Sequence, residues 1–176
     1  MARVGKFARK YGLFLSDASN EEIVSVSKEL MNEMSTEIKT VNNTSVAVLA
    51  SSMVALILII AFVPGVSTTL TGSGKSFVFL TRITAIALLC ISSALSCKVM
   101  VSMSDASSIS SILWRNVRET ADDESAYEQT QAVGTIGNLL MASKQHIKMA
   151  GLAVAASVIL LGAGFIYELL VTASYI

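Results

Sequence analysis

"VAVLASSMVALILIIAFV", Val46 to Val63, decides the fold. It is an almost unbroken aliphatic run, and no charged residue occurs anywhere between Thr40 and Gly74. A run of about 20 such residues matches the ~30 Å hydrocarbon core of a bilayer. Two further stretches repeat the pattern: Phe77 to Cys97 carries only Arg82, and Met149 to Tyr167 is followed by Glu168 near its far end. The chain therefore reads as an all-α integral membrane protein with three transmembrane helices. Composition agrees, because 53% of the 176 residues are hydrophobic and only 15% are charged, against roughly a quarter charged in soluble domains. A single proline and a surplus of Ala, Ser, Val, Leu, Ile and Met favour helix over sheet.

Segments follow from where the charges stop. Residues 1–18 form a basic amphipathic segment, 19–45 a helix outside the membrane, 46–63 the first span, 64–76 a turn and 77–97 the second span. Residues 98–148 form a second helical segment outside the membrane, 149–171 the third span and 172–176 a short tail. Lys and Arg set the expected orientation. Arg3, Lys6, Arg9, Lys10, Lys28 and Lys39 precede the first span, and Lys98, Arg115, Arg118, Lys144 and Lys148 lie between the second and third. The 64–76 turn has only Lys75, and no basic residue follows Glu168. The N-terminus and the 98–148 segment are thus expected to be cytosolic, with the 64–76 turn and the C-terminus on the other side. A prokaryotic plasma membrane is the expected location, an organellar inner membrane the alternative.

That placement bears on "LTGSGKSF", Leu70 to Phe77, which looks like the end of a phosphate-binding loop. Such a loop needs G-x-x-x-x-G-K-[ST], yet the residue five before Gly74 is Thr69. It also needs a buried strand before it, where this chain has a membrane helix. Gly72 and Gly74 read instead as turn residues, and Ser76 as an N-cap for the second span.

Outside the spans the pattern is amphipathic helix. Val4, Phe7, Tyr11 and Phe14 recur at helical spacing among basic residues, as in helices lying in the plane of an anionic membrane surface. The start lacks the continuous apolar core of a secretory signal; an organellar presequence fits its composition better. Ser19 caps the next helix, with Glu21 and Glu22 complementing its dipole. Ile23, Leu30, Met34, Ile38 and Val41 then make one apolar stripe that runs without a breaker into the first span. A short amphipathic helix is expected over 105–119, with Ile109, Ile112, Leu113 and Val117 on one side and Trp114, Arg115 and Arg118 suited to headgroups or a partner groove. "ADDES" is a break and a helix start, after which Val133, Ile136, Leu140, Ser143, Ile147 and Ala150 repeat at helical spacing into the third span. The two stripes, 23–41 and 133–147, are expected to bury against each other or against neighbouring copies.

Candidate functional residues are few. Ala47, Ser51 and Ala55 in the first span, Ser92 and Ser96 in the second, and Gly151 and Ala155 in the third stand at four-residue spacing. Small residues so spaced let membrane helices approach closely, so these seven are the expected helix-packing positions. Arg82 and Glu168 are the charges at membrane depth. Snorkelling to the interface, a cross-helix pair, and a charged ring in an oligomer are all open for them. Cys90 and Cys97, seven apart, share a helix face toward lipid or a partner helix. His146, the one histidine, stands between Lys144 and Lys148 at the membrane boundary as a surface residue. No catalytic residue, cofactor or metal ligand set is expected, and equal numbers of acids and bases give no field to attract nucleic acid.

The stretch "AYEQTQAVGTIGNLLMASKQHIKMAG" has an acidic Tyr-x-x-x-Gln start, an apolar repeat and a Lys before the final span, with Gln131, Leu139, Lys144 and Ala150 as the matching positions. "VNNTSVAVLASS" leads into the first span through polar and then small residues. In these stretches, and in its layout over about residues 20–172, the chain resembles the transmembrane effectors of Pycsar anti-phage systems. It has no room for a separate cyclic-nucleotide-binding domain. The resemblance implies a non-enzymatic, oligomeric effector that compromises the membrane and is gated by its cytosolic helices. An accessory or scaffolding subunit docked on neighbouring membrane subunits would use the same small-residue faces. A membrane enzyme would need several convergent His, Asp or Glu residues at membrane depth, where only Arg82 and Glu168 stand.

Overall fold

A chain with one proline and no polar break inside its apolar runs has little to stop a helix once begun. The computed structural model describes residues 20–62, 72–117 and 123–173, and every one of these except Gly72 is α-helical. The three helices are α1 (Asn20–Phe62), α2 (Ser73–Val117) and α3 (Asp123–Ala173). At 43, 45 and 51 residues, each is about twice the length needed to cross a bilayer at ~1.5 Å per residue. Each contains a stretch long and apolar enough to cross a membrane, within Asn32–Ala61, Gly74–Ile112 and Ala132–Ala173. The expected spans 46–63, 77–97 and 149–171 fall largely within them.

Two boundaries differ from the sequence expectation. First, α2 begins at Ser73 rather than after a cap at Ser76, so Gly74, Lys75 and Ser76 belong to its first turn. Gly72 is the turn residue: its φ of 59° lies in the left-handed region that glycine adopts without a Cβ penalty. Second, no separate short helix occupies 105–119, because α2 continues unbroken through the serine-rich stretch. There Ser108 Oγ donates to the Ser104 carbonyl at 3.0 Å and Ser111 Oγ to the Ser108 carbonyl at 2.8 Å. Hydroxyls bonded back to their own turn do not compete with the helix. Of the expected apolar side, Ile109 is half-buried and Ile112 exposed. The expected in-plane helix at 1–18, the Ser19 cap, residue 63 of the first span, residues 64–71 of the 64–76 turn and residues 174–176 lie outside the described residues. So do the side chains of Ile23, Leu30 and Leu113 to Gln131.

The chain divides into two units, the first from residues up to Asn43 with Val99–Gln145, the second from Thr44–Lys98 with His146–Ile176. In the first, the two apolar stripes do meet. Met34, Ile38 and Val41 of α1 are buried with Ile136 and Leu140 of α3, and Val99, Met103 and Ala106 of α2 complete the core. A Cβ built on Gly137 would lie 3.7 Å from Met34 Cε, ordinary packing contact between α1 and α3. Above them Lys144 Nζ donates to Glu37 Oε1 at 3.0 Å. About half of the Lys144 side chain and a third or more of the Glu37 side chain are exposed, which limits such a pair to about 1 kcal/mol or less.

In the second unit the helices alternate in direction. Ser45 reaches Ser96 and Ser52 reaches Ser92, so α2 runs antiparallel to α1. Ser92 reaches Ala150 and Arg82 reaches Glu168, so α3 runs antiparallel to α2. Large apolar side chains face outward, among them Ile57, Ile60, Phe79, Leu80, Ile159 and Leu170, each more than 60% exposed. A water-soluble domain does not leave such a surface open. A lipid-facing one requires it, because hydrocarbon solvates aliphatic side chains and polar groups must then turn inward. This is an all-α membrane protein with three helices long and apolar enough to span.

Candidate functional site

What turns inward in the second unit is mostly small and polar. Ser45, Ser52, Ser92, Ser96 and Ser157 are all fully buried, beside Val78, Ala85, Leu89 and Ala150. Ser45 Oγ donates to the Ser96 carbonyl at 2.8 Å, tying α1 to α2. Ser92 Oγ donates to the Ala150 carbonyl at 3.0 Å, tying α2 to α3. Ser52 Oγ lies 3.1 Å from Ser92 Oγ and 2.9 Å from its own Val48 carbonyl, sharing one proton between them. Small side chains let the backbones come close enough for these bonds. Each contributes modestly, about 0.6 kcal/mol on average for hydrogen bonds between membrane helices.

Toward the Glu168 end of α3 the seam tightens and then opens. A Cβ built on Gly164 would stand 2.9 Å from Thr81 Oγ1, so α2 and α3 touch there because Gly164 has no side chain. One turn further along α3, Arg82 Nη2 donates to Glu168 Oε2 at 3.2 Å, with 19% and 13% of the two side chains exposed. Phe77 of α2 and Tyr167 of α3 also meet, tilted, with ring centroids 5.0 Å apart. The pair is the cross-helix alternative among those the sequence left open. Arg82 Nη1 is buried without a hydrogen-bond partner.

Beside the pair lies a half-enclosed crevice of about 670 Å³. Its wall is apolar, with Leu58 and Ile59 from α1 and Val158, Leu161, Phe165 and Leu169 from α3. Its polar groups come from Thr81, Arg82, Glu168 and Thr172. Volume and lining match those of sites for small, mostly apolar ligands. Among the described residues no group of three His, Cys, Asp or Glu side chains stands close enough to hold a metal ion.

The seven expected packing residues divide. Ser92 and Ser96 are in the seam, and Ala55 is half-buried at the crevice wall. Ala47, Ser51 and Ala155 are exposed instead, and Gly151 is half-buried with nothing within 4 Å of where a Cβ would stand. Ser51 bonds back to the Ala47 carbonyl at 2.9 Å. The contacts within the chain use the adjoining positions Ser45, Ser52, Ala150, Ser157 and Gly164. The physical reason is direction: a helix carries small residues on more than one face, and four-residue spacing names a face without saying what it meets. Gly164 escaped the sequence reading although it stands four residues before Glu168 and so shares the face of the membrane charge. Cys90 and Cys97 are exposed, as their shared outward face requires. His146 is partly exposed.

No protein family, no curated protein and no solved structure matches the chain.

Proposed function

We propose that this chain is a non-enzymatic membrane protein that assembles with copies of itself in the bilayer and, once assembled, compromises it. The observation that carries the reading is the outward position of Ala47 and Ser51 on α1 and of Ala155 on α3, with open space beside Gly151. Contacts within the chain leave these small residues unused. In lipid, helices associate through close van der Waals approach at such positions. The seam inside the chain rests on small side chains and few hydrogen bonds, so contacts with neighbouring copies compete on equal terms. Loss of the bilayer barrier is what the resemblance to Pycsar effectors implies.

The packed stripes of the first unit serve as the gate. Their burial gives that unit its own core, able to hold or release a conformation independently of lipid. The excess of Lys and Arg in residues 1–45 and 98–148 supports a cytosolic position for it.

The test is dye release. The purified full-length chain, reconstituted into liposomes loaded with a small fluorophore, is expected to release it in proportion to the oligomer present. An intact barrier, with the chain recovered from its native membrane as a single copy among other subunits, would instead assign it to an accessory or scaffolding role.

A further inference from the structure

The crevice beside Arg82 and Glu168 holds two things that rarely occur together at membrane depth: a long apolar wall and a guanidinium with an unmet donor. Along α3 the wall runs from Val158 to Thr172, fourteen helical steps, or about 21 Å of helix. One leaflet's share of the hydrocarbon core is about 15 Å. The wall therefore spans the depth of one leaflet. The polar groups are not spread along it. Glu168 stands four residues from the Thr172 end and ten from the Val158 end, and Arg82 is bonded to it. The site is amphipathic along the membrane normal, apolar inward and polar outward.

The pair does not use up the guanidinium. Nη2 is engaged by Glu168, while Nη1 is buried and finds no acceptor within the chain. Arg presents its donors as a rigid fork suited to phosphate and carboxylate oxygens. A buried donor left unmet is costly. Because 19% of the Arg82 side chain remains exposed, a turn of the guanidinium at the crevice wall brings Nη1 to an acceptor seated there.

We infer that this crevice binds one membrane phospholipid, an acyl chain lying along Ile59, Leu161 and Phe165 and a phosphate oxygen accepting from Arg82 Nη1. Residues of a single chain suffice to line the crevice, so the inference does not rest on self-association. Glu168 keeps Arg82 at the crevice and lowers its net charge, so one phosphate suffices and a strongly anionic headgroup is not required.

Native mass spectrometry of the detergent-purified full-length chain tests this with two lipids, dioleoylphosphatidylglycerol and dioleoylglycerol, which share acyl chains and differ in the phosphate. The wild type is expected to retain one phosphatidylglycerol per chain and to bind dioleoylglycerol about tenfold more weakly, the loss of one charge-assisted contact. Ala55→Phe fills the crevice from α1 without touching the ion pair and should abolish retention of both lipids. Arg82→Gln/Glu168→Gln removes both charges together and should erase the preference for phosphate while dioleoylglycerol still binds. Equal retention of the two lipids by the wild type overturns the inference. So does phosphatidylglycerol retention unchanged by Ala55→Phe, or Ala55→Phe changing the oligomer's mass where no lipid is retained, which would give the crevice to a second copy.

Discussion

Arg82 on α2 and Glu168 on α3 are 86 positions apart in the chain and 3.2 Å apart in the fold. They join two antiparallel helices within stretches apolar enough to cross a membrane, with most of each side chain buried. Together with the contact of Gly164 on Thr81 one turn away, the pair fixes how far α3 is drawn along α2.

A buried pair is fragile to removal of one partner and tolerant of losing both. Glu168→Leu is expected to destabilise the second unit by about 3 kcal/mol, leaving the Arg82 guanidinium uncompensated. Arg82→Leu/Glu168→Leu should restore most of that loss. Denaturant titration of the detergent-solubilised protein compares them, and a double variant as unstable as Glu168→Leu would show that the pair holds more than its own charges.

Gly164→Ala forces a methyl against Thr81 Oγ1, which is itself committed to the Val78 carbonyl at 2.9 Å. A β-branched side chain in a helix has few rotamers to retreat to. The expected cost is about 1–3 kcal/mol, typical of overpacking. Gly151→Ala, with open space around the added methyl, should cost nothing measurable and gain slightly from helix propensity. Thermal denaturation of the two variants side by side reads the difference, and equal midpoints would mean that α2 and α3 are not in contact at Gly164.

In the first unit, Leu140 is 2% exposed whereas Gln145 is on the surface. Leu140→Asp places a carboxylate in a core of Met34, Ile38 and Ile136 with no partner for it. Protease resistance of the first unit should collapse in Leu140→Asp and persist in Gln145→Asp. Equal resistance would mean that the stripes do not form a packed core.

The first span could be read directly, because a run such as Val46–Val63 has no competing interpretation once charge is absent over that length. The stripe Met34, Ile38 and Val41 was equally plain, since helical period and burial coincide there. The seam was not. Ser45, Ser51 and Ser52 have the same composition, yet Ser45 and Ser52 face inward and Ser51 outward. Choosing between them requires the position of α2, which is a tertiary fact. The extent of α2 was misread for a related reason. Serine-rich sequence favours a break when its hydroxyls compete for the backbone, and here Ser108 and Ser111 return their protons to the helix. The charges at 82 and 168 stood out in the sequence, but the apolar wall beside them is shared between α1 and α3 and has no signature in either helix alone.

The account's central claim is that the outward small-residue faces bind other copies of the chain. The most direct measurement is the particle mass of the full-length protein in lipid nanodiscs, wild type against Gly151→Leu. No atom of its own chain lies within 4 Å of where a Cβ at Gly151 would stand, so the fold should persist in Gly151→Leu, and helicity measured on the same samples checks it. In an interface between copies the same side chain would hold the helices apart at every boundary, at about 1–3 kcal/mol for each contact. The account predicts a defined oligomer for the wild type and single chains for Gly151→Leu. An oligomer of unchanged mass in Gly151→Leu, or a wild type that is already monomeric, would contradict it.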